Sequence, residues 1–174
     1  MKNYKKIFLS LILIFFIPNL LMADLPRYLD FKYVLNQSEA GKKAQTQLKK
    51  ELDNGINELT KQEKIIREEE KKIIQQKKIL AKDEYKKKVS ELRKKVSDLQ
   101  KKRSKLVKSV SDKRSKARSQ LLKNLNPVVK EYMVEKQVKM VIDKKVLILA
   151  DEKLDITKDI TSRLNAKIKT LKLD

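Results

Sequence analysis

The sequence predicts an α+β protein: a long antiparallel helical hairpin, coiled-coil-like, forms an arm on a small β body with a C-terminal helix. Three observations predict it. From Lys42 to Lys136, apolar side chains recur at helical spacing in a chain dominated by Lys, Glu, Gln and Ser. Between Val138 and Ala150, nine apolar residues then arrive in thirteen positions. With two Gly, three Pro and 5% aromatics in 174 residues, the chain lacks the material for an ordinary globular core of its length.

Residues 1–23 read as a secretory signal peptide. Lys2, Lys5 and Lys6 precede an apolar run from Ile7 to Ile17, followed by Pro18 and the small residue Ala23, with cleavage expected between Ala23 and Asp24. The apolar run is shorter than the ~20 residues of a spanning helix, although an uncleaved anchor stays open as the alternative. In either case the remainder of the chain is exported.

Composition removes several function classes. Without Cys there is no disulfide scaffold or thiolate metal site, and without His the commonest general base and metal ligand are missing. Gly41 and Gly55 stand alone, so no Gly-rich phosphate loop exists. We therefore expect no enzyme, no cofactor and no metal. Loss of the three leader lysines takes the net charge from +21 to +18. Such a balance usually suggests nucleic acid, but export and the scarcity of aromatics argue against it: Tyr85 alone lies between Tyr33 and Tyr132. Anionic membrane surfaces and acidic polypeptides remain as partners.

The segment 24–41 reads as the first strand and a short helix, and 42–136 as the arm. Leu52, Leu59, Ile66, Ile73 and Leu80 follow seven-residue steps, while the companion positions Gly55, Gln62, Glu69 and Gln76 are mostly polar. Beyond Asp83 a second stripe runs through Tyr85, Val89, Leu92, Val96, Leu99, Leu106 and Val110, with Arg103 and Lys113 as polar intrusions. The frame changes between the two stripes, which places the hairpin tip near Lys82–Glu84, with one uninterrupted helix as the rival reading. The second arm is strongly basic, with 16 Lys+Arg against 3 Asp+Glu from Lys86 to Lys123. Lys86, Lys87, Arg93, Lys94, Lys95, Lys101, Lys102 and Arg103 are its candidates for contact with an anionic partner, against a reading as a merely solvated face. Pro127 should bend the arm, with Asn126 capping a fresh segment.

The last segment, 137–174, reads as a β-hairpin and a helix. Strands around Val138–Ile142 and Val146–Ala150 flank the turn Asp143-Lys144-Lys145, and a helix begins at Asp155 with the stripe Ile156, Ile160, Leu164, Ile168 and Leu171. A two-stranded hairpin apolar on both faces cannot stand in water alone. Met140, Ile142, Val146, Ile148 and Leu149 are therefore the expected core of a symmetric oligomer.

RYLDFKYVLNQSEAGKKAQTQLKKEL (Arg27–Leu52) resembles the opening motif of the Skp/OmpH family of periplasmic chaperones, and MVIDKKVLILADEKLDITKDITSRLN (Met140–Asn165) resembles its closing motif. That resemblance implies a periplasmic homotrimer whose arms enclose a cavity. There, unfolded outer-membrane proteins would be held without ATP and kept from aggregating. The family's association with lipopolysaccharide and anionic phospholipid maps onto no particular residue here. An exported structural or scaffolding coiled coil and an envelope-lipid-binding protein remain the alternatives. The short Leu25–Leu29 strand with its Pro26 departs from the family pattern and reads as an edge strand or nearly absent.

Overall fold

The computed structural model describes residues 25–173. The expected leader and its cut at Ala23–Asp24 lie outside them. Strand β1 (Arg27–Leu29) is followed by helix α1 (Phe31–Gln37), the arm helices α2 (Glu39–Gln76) and α3 (Lys82–Glu135), strand β2 (Val141–Asp143) and helix α4 (Thr157–Lys167).

Each element starts and stops for a local reason. Asp30 accepts a hydrogen bond from the Tyr33 N–H at 2.7 Å and opens α1. Ser38, extended at φ −60° and ψ 151°, separates α1 from α2, and its Oγ accepts from the Gly41 N–H at 3.2 Å. Gly41 is required at this corner because a Cβ there would lie 1.9 Å from the Leu35 carbonyl oxygen. The chain reverses over Lys77–Ala81. Its backbone there keeps to negative φ, which explains a turn without glycine. The tip expected at Lys82–Glu84 thus falls a few residues earlier. Asp83 and Glu84 belong to the first turn of α3, where the helix dipole favours carboxylates.

At the far end of α3, the Val138 N–H donates to the Met133 carbonyl (2.8 Å) and the Gln137 N–H to that of Val134 (3.3 Å), the pattern of a Schellman stop. Gln137 carries the left-handed residue at φ 54°, a conformation that costs a side chain roughly 1–2 kcal/mol. Gln137→Gly is expected to raise stability by about 0.5–1 kcal/mol, seen as a higher urea midpoint.

The body differs from the expected hairpin. β1 and β2 pair in parallel, in the register Arg27–Val141, Tyr28–Ile142 and Leu29–Asp143. The Tyr28 carbonyl accepts from the Ile156 N–H at 3.0 Å, so β1 lies between β2 and the start of α4. The strand is as short as expected, three residues in a two-stranded sheet, with one isolated bridge to Asp155 on its other side. The second expected strand, Val146–Ala150, does not form: residues 144–146 make a 3-10 turn capped by Asp143, and 147–150 pair with nothing. β1 is flanked by β2 on one side and by residues 155–156 on the other, so among the described residues the outer edge of β2 is the one left open to a further strand.

Leu29, Val34, Leu121, Leu125, Val128, Tyr132, Ile156, Ile160 and Leu164 form the buried core. It joins the body to the base of the arm. The fresh segment expected to begin at Pro127 with Asn126 as its cap does not form, and α3 runs through the proline. The buried Leu125 and Val128 on either side hold the helix continuous across the lost N–H. Asp155 Oδ1 accepts from the Thr157 N–H at 2.8 Å, so the expected aspartate does bond to the start of α4, although Ile156 and not Asp155 occupies the N-cap position. Arg163 locks α4 to α3 through a two-pronged pair with Glu135 (2.6 and 3.1 Å) and lies over the Tyr132 ring at 5.1 Å. The guanidinium bond, helped by Lys136, holds the Glu135 carboxyl down to about 2. Among the described residues no buried side-chain nitrogen or oxygen lacks a hydrogen bond.

Candidate functional site

The arm seam closes in an antiparallel register that gives its polar companion positions a purpose. Gly55 faces the Leu106 side chain, whose methyls lie 2.5 and 2.6 Å from where a Cβ would stand. Farther out, the Lys102 ammonium donates to the Gln62 side-chain oxygen (2.9 Å), Lys95 to Glu69 (2.6 Å) and Lys88 to Gln76 (3.3 Å). The three lysines are seven residues apart, as are their acceptors. Each ammonium therefore reaches the opposite helix at the same point of successive heptads. Nearer the base, the intrusive Lys113 pairs with both oxygens of Glu51 at 2.8 Å, and Arg103 meets Glu63 at 3.5 Å. The Glu63 carboxyl is held below its ordinary range, chiefly by its bond to Arg67 at 2.7 Å.

This register divides the basic candidates. Lys95, Lys102 and Arg103 are spent across the seam, while Lys86 and Lys101 make exposed pairs with Asp83 (3.8 Å) and Asp98 (3.6 Å), which contribute little. Lys87, Arg93 and Lys94 are exposed and bond to no described residue. They are the part of the set presented wholly to solvent. Residue-type counting could not separate the groups, but matching Lys88, Lys95 and Lys102 against Gln76, Glu69 and Gln62 across the turn would have.

Isolated apolar side chains stand among these charges. Ile56, Ile65, Ile74 and Ile79 on or beyond α2, and Val96 and Val107 on α3, are all exposed, Ile79 at the tip by 85%. The arm surface thus offers single greasy contacts in a cationic field, an arrangement that can hold an unfolded chain weakly at many points without aggregating itself.

The proposed oligomer core is scattered by the single chain. Ile142 lies half-buried in β2, whereas Met140 and Val146 are exposed and Ile148 and Leu149 are 103% and 91% exposed. An open cleft of about 680 Å³ lies beside them, bordered by Tyr28, Tyr33, Lys144 and Leu147.

Among known proteins, a family model described as outer membrane protein (OmpH-like) matches residues 27–164. The crystal structure of a candidate outer membrane chaperone (OmpH-like) from Caulobacter crescentus CB15 superposes with a TM-score of 0.79 at 26% identity, covering 86% of this chain and 90% of that one. No curated protein matches the sequence.

Proposed function

Because this chain belongs to the OmpH-like outer membrane protein family, we propose that it is an ATP-independent chaperone of the periplasm that binds unfolded outer-membrane proteins and prevents their aggregation. The arm carries the proposal: a two-helix projection whose outer surface is basic, with single apolar side chains set into it. A client of alternating apolar and polar residues can satisfy both features. The apolar contacts supply affinity and the field draws the chain in over roughly 8 to 10 Å.

The body supports a trimer. Val146–Leu149 is a consecutive apolar segment that joins no strand among the described residues, and burying side chains of this size contributes about 1.5–3 kcal/mol each. Three copies meeting through this segment would place three arms around one cavity. In that arrangement residues 137–174 together with 24–41 form the assembling unit, and the arm is the working part.

The test follows from the division of the cations. Lys87, Arg93, Lys94 and Lys101 changed together to Gln leave the seam lysines in place, so helix content and assembly are expected to be unchanged. Capture of a denatured β-barrel protein, read by light scattering, should be slower than wild type at low salt and nearly independent of ionic strength. Wild type should lose capture rate as salt rises. If the two salt series superimpose, the basic surface only keeps the protein soluble. An assembled protein that never suppresses aggregation would favour the structural coiled coil.

A further inference from the structure

The chain beyond α4 does not trail into solvent. Ile168 leaves the helix in an extended conformation (φ −136°, ψ 133°), and the tail then lies along the base of the arm. Leu173, 3% exposed, completes a small core with Ala44 and Leu48 of α2 and Val110 and Ala117 of α3, against which Leu171 also packs. Thr170 and Lys172 stay exposed. This apolar-in, polar-out alternation is that of an extended strand. The contact that holds the backbone is a side-chain amide: Gln120 donates Nε2–H to the Lys172 carbonyl at 2.7 Å and accepts the Lys172 N–H on Oε1 at 3.3 Å. Gln120 therefore reads main chain, as a neighbouring strand would, and places no demand on the side chain at that position.

We infer that this groove, between the small residues Ala44 and Ala117 and beside Gln120, is a binding site for extended polypeptide with apolar residues at alternate positions, occupied in cis by the protein's own tail. Two leucines and one amide are a light attachment, so the tail is a displaceable occupant. Lys105 borders the end of the groove next to Leu173, beside Lys108 in its 3.0 Å pair with Asp112, and favours an acidic residue after the last apolar one. The natural competitor is a strand-forming segment of an unfolded β-barrel protein. That identity rests on the function proposed above, whereas the groove and its cis occupant do not.

The probe is a fluorescent peptide alternating Leu with Thr or Lys and ending in Asp, titrated by anisotropy into the full mature chain and into one lacking Lys169–Asp174. With the tail docked in about nine of ten molecules, apparent affinity falls about tenfold, so the truncated chain should bind about ten times more tightly. Adding Gln120→Ala to the truncated chain should remove about fivefold of that gain, the worth of roughly one net hydrogen bond. The pair Leu171→Ser and Leu173→Ser should reproduce the gain without shortening the chain. Equal affinity in full and truncated chains, indifference to Gln120→Ala, or loss of arm helicity on truncation would each overturn the inference, the last because the tail would then be a fixed part of the core. If the full chain does not suppress aggregation yet the truncated chain binds peptide through Gln120, the chaperone reading fails and the groove stands. Suppression without any gain in peptide binding is the reverse.

Discussion

Sedimentation of Leu149→Asp is expected to show monomers at concentrations where the wild-type chain, on the assembly proposed above, should sediment as a trimer, with most of the arm helicity retained. In the single chain Leu149 is 91% exposed and its neighbour Ile148 fully so, and neither belongs to a core cluster. An aspartate there costs the isolated subunit almost nothing. Inside a closed apolar interface the same carboxylate loses its water, and burying it without a pairing cation costs about 3 kcal/mol per copy. That is about a hundredfold or more in each association step. The substitution therefore reports on the interface alone: a chain that works as a monomer would be unchanged or more soluble. The arm should survive because its two helices close on each other within one subunit, through Leu48, Leu59, Leu99 and Val110 and the cross-seam lysines. An unchanged trimer would mean that the subunits meet elsewhere.

Gly41→Ala is expected to destabilise the subunit by about 2–4 kcal/mol, lowering the thermal midpoint by roughly 5–15 °C. The added Cβ would stand 1.9 Å from the Leu35 carbonyl oxygen, 3.0 Å from its carbon and 2.9 Å from Ser38 Oγ. Two of those atoms are backbone at the end of α1, and α1 is fixed by Val34, which is fully buried in the main core. Relief requires the whole corner to open. The gain in helix propensity on replacing glycine, about 1 kcal/mol, offsets only part of this. Gly55→Ala is the control within the same helix. Its Cβ would meet only the side chain of Leu106, which can turn away, so propensity and crowding should nearly cancel there. Equal destabilisation at the two glycines would show that helix geometry, and not the α1–α2 corner, sets the cost.

What was legible in the sequence was local. The two arm stripes, the start of α4 at Asp155, its buried stripe Ile156, Ile160 and Leu164, and the strand at Val141–Ile142 all follow from neighbours a few residues apart. Periodicity and capping are properties of the nearest turn of chain, so a single sequence carries them. The pairing of those elements is decided at long range. β1 reaches β2 across more than a hundred residues and takes a parallel partner, while alternation of apolar residues in Val138–Ala150 predicts strands without saying which chain they will join. The polar residues at Gln62, Glu69 and Gln76 look like flaws in a seam until the opposite helix brings Lys102, Lys95 and Lys88 to them. Only that register separates seam cations from those left to meet a partner. Likewise Gln120 and Lys172, ordinary on their helix and tail, acquire a role because packing sets them side by side on the arm base although they are 52 residues apart in sequence. Contacts of that kind depend on how whole helices are placed, and the hydrophobic pattern along one helix does not contain that placement.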